Sequence, residues 1–189
     1  MHKFEPGNAA RLERAERYQL IPPAATLTKF GLRPGMTFVD IGAGTGFFAR
    51  AAAEIVGPSG RVFAADIAQG MLEFMQSQGM PGNMTPILSD EYSVPVSDAI
   101  ADMSFMAFVA HETADLPRFI GEAARLTAPG GRIVIVEWKK QTEEQGPPET
   151  ERLAETGLLE QIGTQYTVLD HGALNASHYY VVLQQEKRS

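Results

Sequence analysis

The chain has no cysteine among its 189 residues, which excludes disulfides, zinc–thiolate centres and thiol nucleophiles together. It also has no surplus of basic charge: 16 lysines and arginines stand against 23 aspartates and glutamates, a net charge of −7. Non-specific nucleic-acid binding needs clustered cations to neutralise phosphates, so no nucleic-acid partner is expected. The main basic cluster, Arg11, Arg14 and Arg17, is interleaved with Glu13 and Glu16 and reads as a solvated helical face laced with ion pairs. No window approaches 18 continuous apolar residues, so no membrane span is expected. The charged N-terminus MHKFEPGNAARLERAERYQL has no apolar stretch of the secretory type, and the cytoplasm is the expected location.

What is present is a regular alternation of strand-like and helix-like segments, the mark of a parallel sheet covered by helices on both faces. The length fits one domain. Its expected parts are a helical lid over residues 1–30, a core over 35–140, and a C-terminal helix with terminal strands over 141–189. Residues 8–30 read as helical with an interruption at Pro22-Pro23. Strands are expected over Thr37–Ile41, Arg61–Asp66, Met84–Ser89, Ala101–Val109 and Arg132–Trp138. The fourth is apolar enough to be buried on both faces. Helices are expected over Phe47–Val56, Ala68–Gln78 and Asp115–Leu126, the last capped by Asp115. After a turn at Pro129-Gly130-Gly131 and a loop at Gly146-Pro147-Pro148, a helix is expected over Glu149–Ile162. Gln165–Leu169 and Tyr179–Gln184 then read as strands that pair as an antiparallel end. The prediction is an α/β, doubly wound, mostly parallel seven-stranded sheet with an antiparallel last strand.

Between the first strand and the first core helix lies Val39-Asp40-Ile41-Gly42-Ala43-Gly44-Thr45-Gly46-Phe47-Phe48. Open α/β sheets bind ligands outside the carboxyl ends of their strands, and glycine lets the backbone approach where a Cβ would collide. Asp66, at the end of the second strand and 24 residues beyond Gly42, can accept from both ribose hydroxyls of an adenosine ligand. The other reading of Asp66 is a cap for the helix that follows. The dinucleotide fingerprint G-x-G-x-x-G/A needs a small third residue, and counting from Gly42 that position is Phe47. The loop reads G-x-G-x-G instead, and Asp40 before it adds negative charge suited to a cationic ligand. S-adenosylmethionine, with its sulfonium and ammonium, fits these residues better than a dinucleotide does.

With these motifs in order, the chain resembles the class I S-adenosylmethionine-dependent methyltransferases, most nearly the small-molecule group that includes ubiquinone/menaquinone-type C-methyltransferases. The resemblance covers roughly residues 23–140 and implies a Rossmann-like fold. In the first motif it implies that Asp40, Gly42, Ala43, Gly44 and Gly46 meet the methionine part of the cofactor. Arg61–Ile67 followed by Met71-Leu72 matches the second motif, which implies Asp66 on the ribose and Ile67 beside the adenine, with Met71 also among the cofactor-binding residues. Asp90, Glu91 and Tyr92 fall where the family places an acidic residue on the adenine amino group. The fourth strand, with Phe108, ends near the sulfonium. Leu126–Arg132 resembles the family's turn into strand five, whereas Gln69-Gly70 departs from the pair often seen before Met-Leu. Arsenite-methylating members bind arsenic through cysteine, so that substrate is ruled out here.

The motifs say little about the acceptor, expected to be a small molecule methylated at O, N or C. Candidate bases follow strands four and five: His111, Glu137 and, more weakly, Glu112. Each has a plain structural alternative: a loop histidine bonded to backbone, a strand-end carboxylate, a solvated side chain. Trp138 reads first as core packing. A divalent metal held by His111, Glu112, Asp115 and Glu137 is a further route, though the spacing is not diagnostic and no metal is assigned. Lys139, Lys140 and Arg152 read as surface, with an anionic-substrate role as the alternative. Tyr18 and Leu20 place the N-terminal helix as a lid over the cofactor. Two other functions compete: a non-catalytic module that kept the cofactor fold, and a nicotinamide- or nucleotide-binding enzyme, which Phe47 disfavours.

Overall fold

The structure is a computed structural model that describes residues 15–185. Residues 1–14, which include Arg11, Glu13, Arg14 and the first part of the expected lid helix, lie outside the described residues. Two short helices come first, α1 (Ala15–Leu20) and α2 (Pro23–Lys29). Pro23 occupies the first turn of α2, where its missing N–H is no loss. Five strands and three α-helices follow: β1 (Thr37–Ile41), α3 (Phe47–Val56), β2 (Arg61–Asp66), α4 (Gln69–Ser77), β3 (Met84–Leu88), β4 (Ala101–Ala107), α5 (Leu116–Leu126) and β5 (Thr127–Trp138), with a helix between each successive pair except β3 and β4. The chain ends in α6 (Glu155–Ile162), β6 (Tyr166–Ala173) and β7 (His178–Gln185).

The sheet order is β3-β2-β1-β4-β5-β7-β6. All pairs among β1–β5 are parallel, while β7 runs antiparallel to both β5 and β6. This is the Rossmann-like, mostly parallel seven-stranded sheet expected from the strand–helix alternation. Along β5, Val134 and Val136 enter one core with Phe30, Phe48, Phe105 and Tyr180. Ile133 and Ile135 enter the opposite core with Phe119, Ile120, Leu158 and Tyr179. That is the strand period of two with both faces buried.

Several boundaries differ from expectation. β5 starts at Thr127 rather than Arg132, because Ala101 pairs with Thr127 and Met103 with Arg132, leaving Pro129-Gly130-Gly131 as a bulge within the strand. β4 stops at Ala107, before Phe108 turns into a left-handed conformation at φ 63°. The helix expected over Glu149–Ile162 is broken: a 3₁₀ turn at Glu149–Glu151 precedes α6, and Arg152 between them is extended. Asp115 caps α5 as expected, its Oδ1 accepting from Arg118 N at 3.1 Å. Among the described residues no helix is long and apolar enough to cross a membrane.

Candidate active site

The carboxyl ends of β1, β2, β4 and β5 open onto a cleft of about 1140 Å³. It lies where β1 has β2 on one side and β4 on the other, the place where connections on the two sides of a doubly wound sheet part. Its floor is the β1–α3 turn. Gly42 has φ +77°, and a Cβ there would sit 2.5 Å from Val109 Cγ1, so only glycine fits between the turn and the segment after β4. Gly42 N and Ala43 N donate to Ala65 O at 2.8 and 2.9 Å, stitching the turn to β2. Gly46 does not line the cleft; at φ +86° its missing Cβ makes room for Met75 of α4, 2.9 Å away.

Asp66 receives two backbone amides, Gly44 N on Oδ2 and Ala68 N on Oδ1, each at 2.8 Å. The second bond is an Asx turn leading into α4, so the structural role read as an alternative is present. Asp66 also lines the cleft, and a carboxylate has about four acceptor sites, leaving capacity for a ligand. Burial raises its pKa, against the lowering effect of the amides of Ala68, Gly44 and Ile67.

Asp40 is 2% exposed, and its Oδ2 has no partner among the described residues. Burial first and the neighbouring Asp66 second push its pKa up to about 7, with Arg17 and the Ala49 amide pulling the other way. Thr45 Oγ1 is likewise buried and unpartnered, in the same cleft. A backbone cradle, two orphaned polar atoms and a strand-end carboxylate fit S-adenosylmethionine, which offers positive charge and two ribose hydroxyls. Ile67, 43% exposed, together with Met71, Asp90 and Glu91, lines the far end of the cleft. Tyr92 does not. Its hydroxyl lies 3.1 Å from Thr113 Oγ1 and accepts from Asp115 N at 3.2 Å, and Thr113 Oγ1 donates to Glu91 at 3.0 Å.

At the other end, His111 lies in a 3₁₀ turn, Ala110–Glu112, and Glu137 near the end of β5. The imidazole Nδ1 is 3.0 and 2.9 Å from the two oxygens of Glu137, which is 0% exposed. His111 N and Trp138 N donate to the same carboxylate at 3.2 and 3.1 Å. Burial works to lower the His111 pKa, but bonding and charge from Glu137, reinforced by Glu112 and Glu151, leave it raised. Glu112 lines the cleft with Oε1 4.0 Å from His111 Nε2. No group of three or more metal-ligating side chains gathers among the described residues.

Trp138, read first as core packing, lines the cleft beside Phe108. Their rings are 5.4 Å apart, and Phe108 holds its left-handed backbone at a strain of about 1–3 kcal/mol. Two lining residues escape the sequence reading. Arg17, taken for a solvated ion-pair position, has its guanidinium 4.1 Å above the Phe47 ring. His178 gives no local signal; pairing of β7 with β5 sets it opposite Trp138, rings 4.3 Å apart. Arg152 is not on the surface but 2% exposed. It donates to the carbonyls of Pro147, Lys139 and Gln145 at 2.9, 3.0 and 2.6 Å and pairs with Glu143 at 2.7 Å. It fastens the loop that walls the cleft. Lys139 and Lys140 are not lining residues, and Lys139 Nζ donates to Asn175 O at 2.7 Å.

Residues 39–135 match a family model described as a methyltransferase domain. The ubiquinone/menaquinone biosynthesis C-methyltransferase of Hahella chejuensis is 32% identical over 121 residues, covering 62% of this chain and 49% of that relative. The chain thus spans about half the length of such curated relatives. The crystal structure of a SAM dependent methyltransferase from Aquifex aeolicus has a TM-score of 0.88 and 31% identity, covering 96% of this chain and 98% of that one. A counterpart from Mesorhizobium loti, at 16% identity and a TM-score of 0.69 over 91% of this chain and 98% of its own, shares the fold.

Proposed function

Because the chain belongs to the class I S-adenosylmethionine-dependent methyltransferases, we propose that it methylates an O, N or C centre of a small molecule, with His111 as general base and Glu137 orienting it. The observation that carries this reading is the fully buried Glu137 carboxylate within 2.9 Å of His111 Nδ1. An ionised carboxylate only accepts, so Nδ1 carries the proton and the neutral ring keeps its lone pair on Nε2. S-adenosylmethionine, when bound, supplies an electrophilic methyl group on its sulfonium. The chain's own work is to hold both reactants in line and, where the acceptor must lose a proton, to take it at His111 Nε2. Asp40 lends negative charge where the cofactor is cationic, and Asp66 offers a carboxylate to its ribose. Similarity to ubiquinone/menaquinone C-methyltransferases over about half their length supports a small-molecule acceptor.

The test is S-adenosylmethionine affinity together with single-turnover methyl transfer for His111→Ala and Glu137→Gln. Transfer is expected to fall by about 10²–10⁴-fold while cofactor affinity stays within about threefold of wild type. The wild-type rate should rise with pH through the raised His111 pKa, since only the neutral ring accepts a proton. Glu137→Gln should move that midpoint down. Near-normal rates in both variants would leave positioning alone as the source of catalysis. Absence of S-adenosylhomocysteine release across an acceptor screen would favour a non-catalytic binding module.

A further inference from the structure

His178 is 1% exposed, lines the cleft, and has neither ring nitrogen bonded to any described residue. Its backbone is fixed on both sides: His178 N donates to Asn175 Oδ1 at 2.8 Å, and Leu174 N donates to His178 O at 2.9 Å. Its ring is wedged against Trp138 at 4.3 Å and Phe108 at 4.9 Å. Burying two unpaired nitrogens is unfavourable, and such groups in a native fold call for a partner. Burial lowers the ring's pKa to about 4, with the nearby cations Arg17, Arg152 and Lys139 adding to this and Glu143 opposing it. The ring is therefore neutral near pH 7, with one N–H and one lone pair to offer.

We propose that His178 is the hydrogen-bonding contact for the methyl acceptor, and that this acceptor is an uncharged planar aromatic molecule lying against Phe108 and Trp138 with a polar substituent on the imidazole. The inference rests on the methyltransferase reading and deepens it. The wall supplies flat apolar rings, which favour stacking or edge contact. An anion is opposed by Glu112, Glu144 and Glu151, which line the cleft. A cation is opposed by Arg17, stacked over Phe47, and by the positive charge of the cofactor itself. His178 and the His111–Glu137 pair come from opposite faces of the sheet, since Trp138 faces His178 and Glu137 faces Tyr179 across the β5–β7 ladder. The acceptor is gripped from one face and deprotonated from the other.

The experiment uses the full chain with S-adenosylhomocysteine and four probes: phenol, toluene, benzoate and benzylamine. Selective ¹⁵N labelling of the four histidines reads ring hydrogen bonding directly, and the single tryptophan, Trp138, reports binding by fluorescence. Saturating phenol should move the His178 ring resonances, toluene should perturb Trp138 but not those nitrogens, and benzoate and benzylamine should bind at least about tenfold more weakly than phenol. His178→Phe, which keeps a ring in the wedge, should weaken phenol about tenfold, spare toluene and S-adenosylhomocysteine, and be partly rescued by His178→Gln. Unmoved His178 nitrogens at saturating phenol, or no phenol binding at all, would overturn the inference. So would equal phenol affinity in His178→Phe, or tighter binding of either charged probe. Failure of the wild type to bind S-adenosylhomocysteine would instead remove the methyltransferase reading, and this inference with it.

Discussion

At Asp40, burial and a neighbouring carboxylate make ionisation depend on what binds beside it. Its pKa of about 7 reflects burial first and Asp66 second, so near neutrality the free protein holds a carboxylate that is half protonated. A cation placed against the unpartnered Oδ2 favours the ionised form. Binding must then release a proton whenever the pH lies below that pKa. S-adenosylmethionine affinity should accordingly be level above about pH 7 and fall by up to tenfold per unit below it. Asp40→Asn should bind more weakly and lose this slope; calorimetry in buffers of different ionisation enthalpy would count the proton. An unchanged slope in the variant would assign the proton to another group. At Asp66, expected from the sequence to meet the ribose, replacement by alanine would remove up to two such bonds, and charged hydrogen bonds contribute about 1.5–3 kcal/mol each. Affinity should fall by at least about tenfold. The same change frees the amides of Gly44 and Ala68, so circular dichroism must show the fold intact before an unchanged affinity is taken to make Asp66 only a turn former.

The β1–α3 turn is the element on which the cleft depends, and its glycines do different work. Gly42 is set by two constraints, a positive φ of +77° and the 2.5 Å approach to Val109. Gly42→Ala should therefore destabilise by about 2–5 kcal/mol, combining about 1–2 for the left-handed backbone and 1–3 for overpacking. Adding Val109→Ala should recover the overpacking part and leave the backbone part. Chemical denaturation of both variants and the double mutant checks this through the coupling energy. Additive losses would show that the turn and the segment after β4 move apart freely. Such an element was legible in the sequence because glycine spacing between a strand and a helix is a local pattern. The split of the expected helix over Glu149–Ile162 was not legible. Arg152 leaves helical geometry to reach three carbonyls and Glu143, and nothing within those fourteen or so residues announces partners at 139–147.

For the whole molecule, the cleft is built from the ends of strands of one sheet that separates the two cores, so its occupancy should register in global stability. S-adenosylmethionine at about a hundredfold its Kd contributes about 2.7 kcal/mol. For a chain of this size that corresponds to a rise in Tm of about 5–10 °C. NAD at the same concentration should leave Tm unchanged, because Phe47 occupies the place of the small residue a dinucleotide requires. A shift with NAD and none with S-adenosylmethionine would reverse the assignment of the glycine loop.

The amino-acid sequence determined the order of strands and helices, the glycine turn, the acidic residue ending β2 and the cap of α5. Each of these is carried by neighbours a few residues apart, through periodicity, backbone freedom or a side chain reaching its own helix. It also nominated His111 and Glu137 separately, as residues following strands four and five. Only the tertiary structure decided that they meet, and that His178 faces Trp138 with its nitrogens unpaired. Those relations span 26 residues in one case and 40 in the other. They exist because the order β3-β2-β1-β4-β5-β7-β6 brings the carboxyl ends of β4 and β5 together and lays the start of β7 alongside them.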